Sequence, residues 1–498
     1  MITDSKSNPF LRRLRSFQMF DATGLSNDLR RSLNFVIYAV MANMFSAVVT
    51  GGAAWTGFQR DIIRASDFQI GIIAAIPVAA STIQLFISYI VEKRRNRRFL
   101  FFFFGLAGRF LWIPIGLVPF IIPQAFSDLR VWLVVVLVAF VSFGNSFSNI
   151  CFQSLLSDLV PMRIRGRYFS ARQRMFLIVG VFAGLIVSWI VDASGPVGYT
   201  IVLVIAGISG MTDIACFFFV KWPPMQVPPE NQKSTGFLTM LREVAKNKSF
   251  MKVTLFFTIW HFSLNVSGPF FNVYMLNNLR MSYTQITMFN QITSNIITIF
   301  FVSKWGNLID THGHKPLMQI VCVFIIMVPV LWIFINPGNT WLIIISNITS
   351  GLFYPVIDLS QQNLCLNQSG EKNRSMYLAV FFATVNLLGV SLGNAVGGYL
   401  VQVPYAALAQ QHISLFGVAL NQYHYIFLTS SLLRVFTVLV FLRMIQEEGV
   451  RPAAHVARHL YQSAKSSFRR KRDYARTMRI RRKVRKEERA NESSKTAQ

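Results

Sequence analysis

Apolar residues run through this chain in blocks of twenty or more, separated by short polar or basic connections. A helix rising 1.5 Å per residue crosses a hydrocarbon core of roughly 30 Å with a block of that length. An outer-membrane barrel is excluded, because its strands alternate apolar and polar over about ten residues. The pattern predicts helices over 33–57, 68–91, 99–123, 131–156, 174–195, 198–220, 250–274, 283–304, 315–336, 340–363, 377–401 and 424–446. The connection 221–249 is the longest between them. It opens with Pro223-Pro224 and Pro228-Pro229, and then offers Phe237, Met240, Leu241 and Val244 at helical spacing beside Arg242, Lys246 and Lys248. A proline-rich linker and an amphipathic helix on the membrane surface are expected there.

The chain thus divides into an N-terminal segment (1–32), a six-helix bundle (33–220), the linker (221–249), a second six-helix bundle (250–446) and a tail (447–498). The expected fold is an all-α membrane protein with twelve transmembrane helices. Composition agrees: 53% of residues are hydrophobic and only 14% charged, more apolar surface than a soluble core of 498 residues needs. Residues 1–31 are polar and basic, so no cleavable signal peptide is expected. Cys151, Cys216, Cys322 and Cys365 lie in or near apolar spans without metal-ligand spacing and are expected as small packing residues, with no metal or cofactor.

Charge sets the orientation. Arg12, Arg13, Arg15, Arg30 and Arg31 precede the first span, Lys93 to Arg98 follow the second, and Arg163 to Arg174 follow the fourth. The opposite loops carry little beyond Arg60, Arg64, Arg130 and Arg280. By the positive-inside rule both termini are cytoplasmic, in a multi-pass protein of the cytoplasmic (inner) membrane. Much of the formal charge of +28 lies beyond 450, in runs such as Arg469-Arg470-Lys471-Arg472. Such a tail is expected to associate with anionic lipid headgroups rather than nucleic acid, since it carries only three aromatic stacking groups.

Between two apolar blocks stands Gly306-Asn307-Leu308-Ile309-Asp310-Thr311-His312-Gly313-His314-Lys315-Pro316. A tight turn between packed membrane helices needs such residues: Gly306 for close backbone approach, Gly313 for positive φ, and Asp310 for a neighbouring helix N-terminus. The corresponding loop of the first half, Ser88 to Arg95, keeps an acid at Glu92 but neither glycine. After the fourth span Arg165 stands three residues before Tyr168, and after the tenth Arg374 stands three before Tyr377. The two bundles therefore read as pseudo-symmetric repeats.

The Gly-x-x-x-Asp-x-x-Gly-basic-basic pattern resembles the loop motif of the major facilitator superfamily of transporters, and the resemblance covers roughly 30–446. It implies a secondary transporter that moves a small solute by alternating access. It also implies a cytoplasmic gate formed by Gly306, Asp310, Gly313 and Lys315, with Arg374 a partner for Asp310. Glu92, Asp158, Arg165 and Arg167, with Tyr168, would serve the mirror position. The fourth span lacks the arginine of proton-coupled members and the fifth lacks the Gly-Pro of drug antiporters, so proton-driven drug export is not implied.

Polar residues within apolar spans are costly and mark cavities or helix contacts. Asn145 and Asn149 share a stripe with Ser142 and Gln153 on the fourth span, and Asn347, Tyr354, Asp358 and Gln361 share one on the tenth. Asn43 aligns with Ser46 and Thr50 on the first span, and His261 and Asn265 align on the seventh. In the resembled family these four helices line the substrate cavity, so the nine residues Asn43, Asn145, Asn149, His261, Asn265, Asn347, Tyr354, Asp358 and Gln361 are the candidate substrate contacts. Asp358, the sole acid in those spans, can bind a cation or take up a proton. This lining favours a neutral or cationic solute over a strongly anionic one. Arg109 and Asp213 are expected to form a structural ion pair, whereas Arg434 has no evident partner. No Ser-His-Asp, metal-ligand or phosphate-loop constellation supports enzymatic activity. The competing function is a non-transporting membrane scaffold or sensor acting through the tail, and the expected oligomeric state is a monomer.

Overall fold

The computed structural model describes residues 25–223 except 85, 88–90, 92–95 and 162–163, residues 237–369, residues 374–447 except 416, and 452–458 with 462. Residues 1–24, Glu92, most of the proline-rich linker and most of the basic tail lie outside the described residues.

The first half comprises α1 (Asn27–Gly51), α2 (Asp67–Thr82), α3 (Arg97–Ile121), α4 (Ser127–Leu159), α5 (165–194) and α6 (196–216). The second comprises α7 (Lys248–Asn265), α8 (Tyr283–His312), α9 (His314–Ile333), α10 (Leu342–Gln368), α11 (374–402) and α12 (Gln422–Leu442). Among the described residues, nine helical stretches are each long and apolar enough to cross a membrane. One of them folds back at Gly195 and supplies two spans, and α2 and α7 complete the set of twelve.

Caps rather than hydropathy set several boundaries. Ser66 and Gln69 form a capping box that starts α2, Ser282 and Gln285 start α8, and Asn421 and His424 start α12. Ser26 caps α1, so that helix begins before Arg30 and Arg31. The predicted fifth span opened at 174, but α5 begins at Arg165, because a helix extends past the lipid-facing segment that hydropathy marks. At Gly195 the backbone takes φ 55° and ψ −134°, a left-handed reversal that Pro196 follows at the start of α6.

The glycine motif between α8 and α9 is shorter as a turn than its sequence suggests. Residues 306–312 continue α8, and the reversal is confined to Gly313, at φ 85°. Gly306 has open space where a Cβ would stand, so it does not serve the close backbone approach expected of it. The acid at the α9 N-terminus is Glu447, which accepts from the backbone N–H groups of His314 and Lys315 at 2.9 and 2.7 Å.

Glycines do permit close packing on α11. A Cβ on Gly389 would stand 2.8 Å from the Thr258 carbonyl of α7, and one on Gly393 3.0 Å from that of Phe262. Gly397 abuts the Val266 carbonyl in the same row. The opposite side of α11 meets α2, where Gly71 and Gly398 bring the two halves into backbone contact. Helix Phe237–Lys246 follows the linker, and its Val244 is buried in one core with Phe250 and Phe257 of α7. Phe103, Phe140, Phe182, Phe300 and Leu432 are exposed on the surface, where acyl chains rather than water suit them.

Candidate functional site

The α3–α4 crossing is tight because Gly108 faces Gly144: a Cβ on Gly144 would stand 2.7 Å from the Phe104 carbonyl. The crossing brings the next residues together, and Arg109 Nη1 donates to Asn145 Oδ1 at 2.6 Å. Gly210 of α6 leaves room for the Arg109 stem, and Nη2 lies 3.5 Å from Asp213 Oδ2, the pair expected from sequence. Arg172 of α5 stands over the Phe152 ring, 5.1 Å from its centroid, and lines the same cavity as Asp213. These groups face one cavity of about 480 Å³, within the roughly 300–1,000 Å³ usual for small-ligand sites. Asn43 and Asn149 also line it, with Gln84, Trp55 and Trp112, and every lining residue comes from the first half.

The halves meet asymmetrically. At the end opposite the termini, Asp192 of α5 accepts from the backbone N–H groups of Tyr283 and Thr284 at 2.9 Å each and from Thr284 Oγ1 at 2.7 Å. Asp61 accepts from the hydroxyls of Tyr199 and Tyr283 at 3.0 and 3.2 Å, and Ser188 Oγ meets Thr287 Oγ1 at 2.6 Å. Tyr423 donates to Asp67, which also pairs with Arg60 at 2.9 Å. Toward mid-membrane, Asn394 and Asn386 of α11 donate to the Ala74 carbonyl and to Ser81 of α2. Among the described residues, the hydrogen bonds that join the halves lie from this level to the end opposite the termini.

At the terminal end, the bonded charged groups among the described residues stay within their own half or reach the adjoining linker. Asp158 accepts from Arg97, whose guanidinium also donates to Ser154 Oγ and the Pro223 carbonyl. Lys315 Nζ donates to the carbonyls of Arg443 and Ile445. Asp310 is exposed, and the side chains of Arg165, Arg167 and Arg374 lie outside the described residues, as does Glu92.

Two overlapping stretches, 32–393 and 261–483, match the family model of the Major Facilitator Superfamily. The chain belongs to that superfamily. Its fold is similar to a variant of the nucleoside transporter NupG at TM-score 0.64, with 16% identity, over 83% of this chain and 100% of that one. A bacterial homolog of the human lysosomal transporter Spinster, inward-facing and unoccupied, is similar at TM-score 0.60 and 16% identity, over 85% of this chain and 96% of that one. A D-xylose-proton symporter is similar at TM-score 0.59 and 13% identity, over 84% and 98%. No curated protein sequence matches the chain.

In this superfamily member the candidate contacts divide by half. Asn43, Asn145 and Asn149 reach the cavity. The second-half stripes largely satisfy one another: His261 Nε2 meets Gln361 Oε1 at 2.8 Å, and Asn265 donates to the His261 carbonyl. Asn347 donates to Asn290 of α8 at 2.8 Å. Tyr354 lies beside Arg434, whose Nη1 donates to the Ile325 carbonyl at 2.9 Å, so the arginine left unpaired in the sequence has partners on α9 and α10. Asp358 is exposed, without a hydrogen-bond partner among the described residues. None of these six candidates lines the cavity. Arg172 does, although it counted as a loop charge while the fifth span was placed from 174. A helix drawn from Arg165 puts it about 10 Å inside the bundle.

Proposed function

We propose that the protein is a secondary active transporter that moves a small solute across the cytoplasmic membrane by alternating access of its two six-helix bundles. The asymmetry of the inter-half hydrogen bonds carries this reading: one end is tied by Asp61, Asp192, Tyr199 and Tyr283, while at the other, among the described residues, Asp158 and Lys315 bond within their own halves. A rocking transporter caught at one extreme has this distribution. The excess of arginine and lysine on the terminal side supports cytoplasmic termini, which makes this conformation inward-facing. Asn43, Asn145 and Asn149 then contact the solute, and Asp310, Gly313 and Lys315 belong to the cytoplasmic gate that forms when the bundles rock the other way. Glu92, Asp158, Arg165, Arg167 and Arg374 are the remaining gate candidates.

The test uses a chain whose four native cysteines are replaced by alanine, carrying Ser188→Cys and Thr287→Cys to bridge the closed end and Asn149→Cys as reporter. With the bridge formed, a membrane-impermeant maleimide is expected to label the reporter from the cytoplasmic face only. Reduction is expected to expose a fraction to the outer face. Labelling from neither face, or from one face whatever the state of the bridge, would overturn alternating access and favour a non-transporting scaffold.

A further inference from the structure

The first-half cavity contains three ionised side chains, and their charges do not cancel. Arg109 is engaged by Asn145 and Asp213. Arg172 lines the same cavity, where Asp213 is the sole carboxylate among the lining residues, so one negative group stands against two guanidinium groups. Arg172 has no hydrogen-bond acceptor among the described residues, and its contact is the Phe152 ring face. Its Nε and that of Arg109 are sealed from solvent without a partner. A sealed N–H left without an acceptor is costly, and a guanidinium presents paired N–H groups matched to an oxyanion.

We infer that this cavity binds a small organic monoanion, its oxyanion group received by Arg172 beside the Arg109–Asp213 pair. The inference rests on the transport reading and names the substrate class for that site. One uncompensated charge calls for one negative charge on the solute, which favours a carboxylate over a phosphate monoester dianion. Trp55 and Trp112 offer indole faces to an apolar or aromatic body, and Asn43, Asn149 and Gln84 offer amides to its polar substituents. Arg172 lies about 10 Å from the start of α5, on the side of the bundle that the inward-facing state opens. This assignment departs from the neutral or cationic solute that the polar stripes alone favoured, because Arg172 and the Arg109–Asp213 pair both face the cavity rather than a loop or the bundle exterior.

The test is equilibrium binding to the purified full-length protein in detergent, read by tryptophan fluorescence, with matched acids and amides as probes. Benzoate and nicotinate are expected to saturate the signal at concentrations at least about tenfold below benzamide and nicotinamide, the difference of one charge-assisted contact. Phenyl phosphate is the arm that separates a dianion from a carboxylate, and is expected to bind more weakly than benzoate. Arg172→Gln is expected to abolish the preference for acids, and Arg172→Lys to keep part of it, both eluting as the same monodisperse species. Amides binding as tightly as acids, no saturable binding by either acid, or an acid preference unchanged in Arg172→Gln would each overturn the inference. None of these outcomes touches alternating access, which the maleimide labelling reads without reference to solute charge.

Discussion

Arg109 and Asp213 illustrate what a single residue in a membrane span discloses. An arginine at mid-span needs a partner, and one acid in the same half stood at a comparable depth, so the pair at 3.5 Å was legible from two positions in the sequence. The third member of the cluster was not. Arg172 has the same composition signal as its topogenic neighbours, and only its phase on a helix begun at Arg165 turns it inward. Asp358 shows the opposite: the strongest single-residue signal does not line this cavity, and four of its companions, His261, Asn265, Asn347 and Gln361, bond one another or α8. Removing one member of the charge cluster should cost more than removing two. Asp213→Ala leaves two guanidinium groups facing no countercharge and is expected to destabilise the protein by about 3 kcal/mol. Adding Arg109→Leu to it should restore much of that loss, because the freed guanidinium is gone. Thermal unfolding of the two variants in one detergent checks this, and a double variant no more stable than Asp213→Ala would deny the coupling.

The elements were legible in number, and their ends much less so. Hydropathy marks the lipid-facing part of a span, which is why twelve helices could be placed while α1, α5 and α8 each run on into charged sequence. Caps such as Ser66 with Gln69 and Ser282 with Gln285 were present in the sequence and locate the true starts. Glycines carry two different meanings that composition does not separate. Gly397 abuts the carbonyl of Val266, the residue that ends α7, whereas Gly306 stands in open space within α8. Gly397→Ala is therefore expected to destabilise by about 1–3 kcal/mol as α7 and α11 are forced apart. Gly306→Ala should be neutral or stabilise by about 0.5–1 kcal/mol, since alanine is the better helix residue. Unfolding temperatures, lowered in Gly397→Ala and unchanged or raised in Gly306→Ala, check the contrast. Equal losses would mean that Gly306 is packed after all.

At the scale of the whole molecule, the shift that takes Tyr168 onto Tyr377 also takes Asn145 onto Tyr354 and Asn149 onto Asp358. In each half the first of these lies against an arginine within the spans, half-buried Arg109 in one and buried Arg434 in the other, although the arginines sit on α3 and α12. The repeat thus preserves a position beside an internal arginine, while the cavity that holds Arg109 is lined by first-half residues. Among the described residues, a small polar set ties the halves at the end opposite the termini, beside the glycine contact of α2 with α11, and Asp192 is its most heavily bonded carboxylate. It adds a second cap to α8 from the opposite bundle, while Ser282 caps the same helix from within its own chain segment. Asp192→Ala should consequently leave α8 folded and weaken only the tie between the bundles. Hydrogen bonds to a charged group contribute about 1.5–3 kcal/mol, which corresponds to roughly a tenfold to hundredfold change in the ratio of the closed to the open form at this end. Spin labels at Val197→Cys and Ile413→Cys, one in each half and both exposed at this end, should show a longer-distance population growing in Asp192→Ala. An unchanged distance distribution would mean that the glycine contact of α2 with α11, and not the Asp192 cap, keeps the bundles together there.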